Sequence, residues 1–325
     1  MVINNLEIKE FEIDLTGNCN LNCPICTRNY KHADHLLKKN IRPLKNIIQQ
    51  LDYFPNLTRI MLAGAVSEPT LYPEFFKLIE YLDSRGIYID LFTNGDTHNT
   101  LWWEKLGEIF EGLSNKNSSC TFTICGSTQE LHSKYRINSN LDKTLNNIKS
   151  FGYSGKSRSI LQIIRFEYNK NDINNILKFK NLFNDYYIVD SEGRRRLTDF
   201  KNNFYLGKDD ITPLEKRRLK IDKIFKVINN FKDTNKKNIH CKSLKYKKLH
   251  IDQFGNIFPC YMLMEFPESK DYYFYTEEDI IKASVENTNL IFNFKEVFDN
   301  NFKECNLCHK NIERYIKKNN LDFVC

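Results

Sequence analysis

Apolar and polar residues alternate one for one through IKEFEIDL, Ile8 to Leu15, which predicts a strand with one buried face. The period then lengthens, and a helical pattern runs from about Leu44 to Phe54 before the strand TRIMLAG, Thr58 to Gly64. The helix EFFKLIEYLDSRG closes on Gly86, where a helix-ending glycine belongs, and the strand IYIDLFTNG, Ile87 to Gly95, follows. Next come the helix LWWEKLGEIFEGL, the strand CTFTICG (Cys120 to Gly126) and the helix LDKTLNNIKSF. The strand SILQIIRF (Ser159 to Phe166), the helix DINNILKFKNLF and the short strand DYYIVD (Asp185 to Asp190) complete the series.

Strand and helix thus alternate across six strands. That pattern predicts parallel strands joined by helical crossovers, an α/β fold forming a partial (β/α)6 TIM-like barrel. In such sheets the loops at the C-terminal strand ends build the active site. From Ser191 the pattern breaks into SEGRRRLTDFKNNFYLGKDD, a linker or cover, and a basic helix is predicted from about Pro213 to Phe231. Further on, YKKLHIDQFGNIFPCY reads as two short strands around a turn at Gln253 to Gly255.

Composition narrows the class. The chain has 325 residues, 41% of them apolar, enough for a substantial core, and about two domains or a barrel with an appendage are expected. No run of 18 apolar residues occurs and MVINNLEIKE lacks the basic and apolar regions of a signal peptide, so a soluble cytoplasmic protein without membrane contact is expected. Ten cysteines in that setting are reduced and favour metal binding over disulfides. The net charge of +7 is spread along the chain, densest at Arg194 to Arg196 and Lys242 to Lys248. Either piece can meet phosphates or an acidic peptide, although solvated surface is the simpler reading. Nothing resembles a nucleic-acid-binding motif with interleaved stacking aromatics.

The candidate chemistry begins directly after the first strand, in LTGNCNLNCPICTR, where Cys19, Cys23 and Cys26 stand at C-x3-C-x2-C. A closed zinc site takes four ligands and the common iron-sulfur clusters are usually held by four thiolates, so three thiols leave one position open for a substrate or cofactor. Two plainer readings compete: zinc with His32 or His35 as fourth ligand, or three buried apolar cysteines. The polar Asn18, Asn20 and Asn22 beside and between the thiols argue against a core. CNLNCPIC resembles the cluster-binding loop of the radical SAM superfamily. The resemblance implies a 4Fe-4S cluster held by the three cysteines, with S-adenosylmethionine (SAM) on the fourth iron.

That resemblance assigns further residues. LAGAVSEPTLYPEF is similar to the superfamily's GGEP segment, which places Glu68 at the amino group of SAM, although Ala65, Val66 and Ser67 replace the glycines. Thr93-Asn94-Gly95 resembles the TNG found near SAM and makes Asn94 a candidate contact, though Asn-Gly also serves as a plain turn. Relatives commonly read S-I-D-G-S where this chain has Thr123-Ile124-Cys125-Gly126-Ser127. Alternation puts Thr123 and Cys125 on one face, toward the barrel mouth, and Phe122 and Ile124 on the other, with Cys120 in the core. Thr123 is therefore a candidate cofactor contact. Cys125 is either a hydrogen-atom donor to a substrate radical or a small buried filler. In ELHSKYR, Arg136 falls where the resemblance expects a partner for the SAM carboxylate, with surface exposure as the alternative; His132 carries no assigned role.

A second set, Cys241, Cys260, Cys305 and Cys308, has the pattern C-x18-C-x44-C-x2-C. With its hairpin it resembles the twitch domain, the short form of the SPASM extension, which implies one auxiliary 4Fe-4S cluster; four thiolates also suit zinc. Cys325 is a spare ligand or a free terminal thiol. The implied organisation is a radical SAM partial barrel over 1-190, a linker or helical cover over 191-239 and a twitch/SPASM-like domain over 240-325. The implied activity is reductive cleavage of SAM to a 5'-deoxyadenosyl radical that removes a hydrogen atom from a substrate, with flavodoxin or ferredoxin as electron donor. A ribosomally made peptide suits the basic surface; a sugar or cyclitol dehydrogenase and a non-catalytic zinc-binding module are the alternatives.

Overall fold

The alternating strand of the N-terminal region is an interior strand of the large sheet, third from one edge, and one of its two neighbours is recruited from far along the chain. The computed structural model describes residues 2–29, 37, 40–64, 66–153, 155–190, 242–260 and 273–294. After a short strand β1 (Val2–Asn4) comes β2 (Glu10–Ile13), then α1 (Leu44–Asp52), β3 (Arg59–Leu62), α2 (Phe75–Ser84) and β4 (Tyr88–Thr93). The series continues with α3 (Thr100–Gly112), β5 (Ser119–Ile124), α4 (Gln129–Tyr135), α5 (Leu141–Phe151), β6 (Ser159–Arg165), α6 (Ile173–Ile176) and β7 (Asp185–Asp190). The C-terminal described part holds α7 (Lys242–Tyr246), β8 (Lys248–Ile251), β9 (Ile257–Phe258), α8 (Glu277–Val285) and β10 (Ile291–Asn293).

The large sheet has the order β7-β6-β5-β4-β3-β2-β8-β9. Every pairing from β7 to β8 is parallel, and only the hairpin partner β9 is antiparallel, with Ile251 opposite Ile257. The predicted partial barrel is therefore present. The predicted hairpin is present too, and it is built onto the barrel: β8 pairs in parallel with β2, His250 lying opposite Glu12.

Alternation sorts the side chains as expected. Phe11 and Ile13 of β2, Ile60 and Leu62 of β3, Ile89 and Leu91 of β4, and Cys120, Phe122 and Ile124 of β5 are buried in one core beneath the helices. Trp103 of α3 and Phe151 of α5 join that layer, and Trp103 and Phe122 stand 5.3 Å apart. Gly107 allows α3 to meet α5 closely, since a Cβ there would lie 2.2 Å from the Phe151 carbonyl oxygen.

Polar contacts fasten the C-terminal part to α1. Arg42 pairs with Glu277 of α8, Asn46 Nδ2 donates to Glu277 Oε1 at 2.8 Å, and Gln50 Nε2 donates to the Gly255 carbonyl at 2.7 Å. Within the basic stretch Lys242 to Lys248, Lys245 is exposed as expected, whereas the last two lysines are engaged in ion pairs. Lys247 pairs with Glu7 at 3.2 Å, and Lys248, on the inner face of β8, pairs with Glu12 at 2.8 Å, because a strand residue directed into the barrel meets the acidic face of β2. Four expectations lie outside the described residues: the cover at 191-239 with Arg194 to Arg196, His32 and His35, Cys241, Cys305 and Cys308, and Cys325.

Candidate functional site

The cysteine loop leaves β2 at its C-terminal end and is held by its own backbone and asparagines. Cys26 N donates to Cys23 O at 3.0 Å, and Asn29 Nδ2 donates to Cys23 O and to Asn22 Oδ1, each at 2.9 Å. Arg28 Nη1 donates to Gly17 O at 2.7 Å and to Val66 O at 2.5 Å, fixing the loop against the segment after β3. Asn18 O accepts from Glu68 N at 2.8 Å, and Asn20 Oδ1 accepts from Asn94 Nδ2 at 2.9 Å. The polar residues between and beside the thiols are thus the ties that give the loop its shape.

Cys19, Cys23 and Cys26 are free thiols that line one cavity of about 220 Å³ together with Glu68, Asn94, Thr123 and Arg136. Five strand ends or following loops contribute to it. Among the described residues no three His, Cys, Asp or Glu side chains are arranged around a single metal ion; the thiols share a cavity wall. Burial pushes each of the three thiols up to about 11, so a metal that binds them would displace their protons.

Glu68 is the most heavily bonded group in the wall. Its Oε1 accepts from the hydroxyls of Thr93 at 2.7 Å and Thr70 at 2.8 Å, and its Oε2 accepts from Asn94 N at 2.9 Å. It is 3% exposed, and burial raises its carboxyl above the usual range against the opposing pull of those donors. The carboxylate therefore ties the β3 end to the β4 end while one edge stays on the cavity. Asn94 donates to Asn20 and lies with Nδ2 3.9 Å from Cys19 Sγ; its Oδ1 accepts from Asp96 N at 2.8 Å.

Arg136 follows α4 and donates from Nη1 to Cys23 Sγ at 3.8 Å. Its burial works against the charge, but the sulfurs of Cys23 and Cys125 outweigh that and hold the guanidinium protonated. Its Nε is buried without a hydrogen-bond partner among the described residues, an unused donor at the cavity edge. Thr123 reaches the cavity as alternation predicts and donates to Gln162 Oε1 at 2.9 Å.

Cys125 is placed differently from Thr123. β5 ends at Ile124, so the two-residue period stops one position short. The Cys125 backbone is held by His132, Tyr168 and Asn169, and its side chain, 0% exposed, packs with Leu21, Cys23, Tyr135 and Phe166 behind the cysteine loop. His132 has a role that the sequence left unassigned: its Nδ1 accepts from Cys125 N at 3.3 Å, and burial, helped by Arg136, lowers it to about 3, so the ring is neutral. Gln162 was also missed. Its Nε2 donates to the Tyr187 hydroxyl at 3.0 Å, extending a polar rung from the cavity along the inner face of β5, β6 and β7. A lone glutamine inside the apolar SILQIIRF was the available signal.

Among the described C-terminal residues, Cys260 ends the β8–β9 hairpin, partly buried against the main core. The donor set suits a cluster: three sulfurs on one wall, hydrogen-bond donors at two of them, and adjoining space for a further ligand.

Comparison with known proteins gives the family and the fold. The family model described as Radical SAM superfamily matches residues 13–179. A 7,8-dihydro-6-hydroxymethylpterin dimethyltransferase of Methanocaldococcus jannaschii is 31% identical over 115 residues, 32% of this chain and 22% of the relative. A tungsten-containing aldehyde ferredoxin oxidoreductase cofactor-modifying protein of Pyrococcus furiosus is 26% identical over 102 residues, 31% of this chain and 28% of the relative. The matched stretch thus spans about a quarter of each curated relative. In fold, the chain is similar to Streptococcus suis SuiB bound to SAM (TM-score 0.59, 15% identity, 85% of this chain and 65% of that one). It is also similar to native anSMEcpe with bound SAM (TM-score 0.54, 16% identity, 91% of this chain and 82% of that one). Among the described residues no helix is long and apolar enough to cross a membrane. With the family match covering more than half of the chain, this protein is an enzyme of the Radical SAM superfamily, a family that carries a 4Fe-4S cluster and uses SAM.

Proposed function

We propose that Cys19, Cys23 and Cys26 hold the 4Fe-4S cluster, that the adjoining cavity seats SAM, and that the enzyme removes a hydrogen atom from a peptide. The observation that carries this reading is the convergence of the three thiols with Glu68, Asn94 and Arg136 on a single cavity at the C-terminal end of the sheet. When bound, the cluster supplies the electron that cleaves SAM to methionine and a 5'-deoxyadenosyl radical.

The protein's own work is binding, orientation and exclusion of water. Glu68 offers the free edge of its carboxylate to the ammonium of SAM, held in place by Thr70, Thr93 and Asn94. Arg136 offers the buried Nε to the SAM carboxylate while Nη1 stays on Cys23, so one guanidinium serves cluster ligand and co-substrate. Asn94 performs the corresponding duty at Cys19. Thr123 continues the wall toward the substrate side. The enclosed position of Cys125 supports the space-filling role rather than hydrogen donation.

Support for a peptide comes from two sides. The rung Thr123–Gln162–Tyr187 presents amide and hydroxyl groups along the barrel interior, suited to backbone amides. SuiB bound to its precursor peptide SuiA, and anSMEcpe bound to peptides, share the fold. The second cysteine set, Cys241, Cys260, Cys305 and Cys308, is proposed to hold an auxiliary 4Fe-4S cluster in a twitch-type C-terminal domain, with flavodoxin or ferredoxin as electron donor. The test is electron paramagnetic resonance of the anaerobically reconstituted, reduced protein. A cluster with an open iron changes its spectrum when SAM is added; an unchanged spectrum overturns the reading.

A further inference from the structure

The β2–β8 edge of the barrel wall carries a buried histidine–aspartate pair to which the proposed function gives no task. His250 of β8 is 1% exposed and Asp14, just past β2, is 0% exposed, and His250 Nε2 lies 3.2 Å from Asp14 Oδ2, close enough for ionic contact although the two atoms are not in hydrogen-bonding geometry. The other carboxylate oxygen, Asp14 Oδ1, accepts from Ser67 Oγ at 3.0 Å and from Val66 N at 3.4 Å. Val66 and Ser67 line the cavity immediately before Glu68. Ser67 also presses on Gly64, whose φ is +55°; a Cβ there would lie 2.5 Å from both Ser67 O and Ser67 Oγ. The cavity wall is thus braced from behind by a buried carboxylate whose histidine partner comes from the C-terminal hairpin.

We propose that His250 is a positioning residue for the SAM pocket: paired with Asp14, it holds through that carboxylate the Val66–Ser67 wall beside Glu68. The inference rests on the reading of this cavity as the SAM site. A buried carboxylate stripped of its partner is costly, and it escapes by protonation or by turning toward other donors. Either change releases Ser67 Oγ and Val66 N and lets the wall move. Because β8 runs on through the hairpin to Cys260, the pair also makes the hairpin that carries Cys260 part of the SAM pocket.

The alternative is a clamp that only fastens β8 to β2. The two are separated by measuring SAM affinity, by equilibrium dialysis of labelled SAM with iron-loaded, unreduced protein, in a double-mutant cycle. His250→Gln is expected to weaken binding roughly tenfold, the scale of one charge-assisted contact. Asp14→Asn is expected to weaken it similarly, and the double variant to be no weaker than Asp14→Asn alone, because His250 acts through Asp14. Ser67→Ala, which removes only a cavity-wall hydroxyl, is expected to give a comparable loss and covers the case in which His250→Gln fails to fold. Binding of 5'-methylthioadenosine, which lacks the amino-acid end of SAM, is expected to be unchanged in these variants. Variants with lowered thermal stability and unaltered SAM affinity would overturn the positioning role, as would additive losses in the cycle. A wild-type protein that is iron-loaded and binds no SAM would instead sink the reading of the cavity itself.

Discussion

Arg136 stands with Nη1 3.8 Å from Cys23 Sγ and with its buried Nε unpaired among the described residues. A fixed cation beside a cluster thiolate stabilises the more negative, reduced cluster. Arg136→Gln is therefore expected to lower the reduction potential of the first cluster by tens of millivolts, taking roughly 1 kcal/mol for a lost charged contact and about 40 mV per kcal/mol in a one-electron step. A potentiometric titration read by electron paramagnetic resonance checks this. An unchanged potential would remove the electrostatic role of Arg136.

His250 makes stability depend on pH. Burial disfavours its charge, but Asp14, then Glu12 and Asp252, outweigh burial and raise its pKa above the ordinary histidine value of about 6.5. The folded protein thus binds this proton more tightly than the unfolded chain does. Its contribution is fully present below about pH 6.5, the unfolded value for histidine, and is lost as pH rises through the higher folded value. Urea unfolding across that window is expected to show wild-type stability declining with pH, and His250→Gln showing a flatter dependence. Parallel profiles for the two proteins would contradict the assignment.

The close approach of α3 to α5 depends on Gly107. A Cβ there would lie 2.2 Å from a backbone oxygen of Phe151, so one helix must move. Gly107→Ala is expected to destabilise the protein by about 1–3 kcal/mol, the usual cost of overpacking, despite the better helix propensity of alanine. Thermal unfolding measures it, and a variant as stable as wild type would show that the helices yield freely.

The two cysteine sets are expected to load independently. Replacing Cys19, Cys23 and Cys26 by Ala should leave about four irons per chain in the second set, and metal analysis after reconstitution counts them. No iron at all in that variant would sink the idea of a separate auxiliary cluster.

Much of the barrel was legible because its signals are local. The one-for-one alternation at Phe11 and Ile13, and at Phe122 and Ile124, sets a buried face without reference to anything distant. The same logic places Thr123 on the cavity and stops at Cys125, where the strand has ended and packing with Tyr135 and Phe166 takes over. What the sequence could not announce were relationships set by the third dimension. Lys248 reads as one of a basic run, and only the parallel pairing of β8 with β2 brings it to Glu12. β1 is too short to be recognised by period, and its partner β10 lies almost 290 residues away, with Ile3 opposite Phe292. Asp14, Ser67 and His250 are unremarkable singly, and their chain of contacts exists only once the hairpin joins the barrel.

The most direct test of the central claim is formation of 5'-deoxyadenosine. The anaerobically reconstituted enzyme is given dithionite and SAM, and the product is followed by mass spectrometry beside the variant in which Cys19, Cys23 and Cys26 are Ala. Production by the wild type, abolished in that variant even with iron retained at the second set, is the predicted result. An iron-loaded wild type that forms no 5'-deoxyadenosine, or equal formation by both proteins, would contradict the assignment of SAM cleavage to this loop and its cavity.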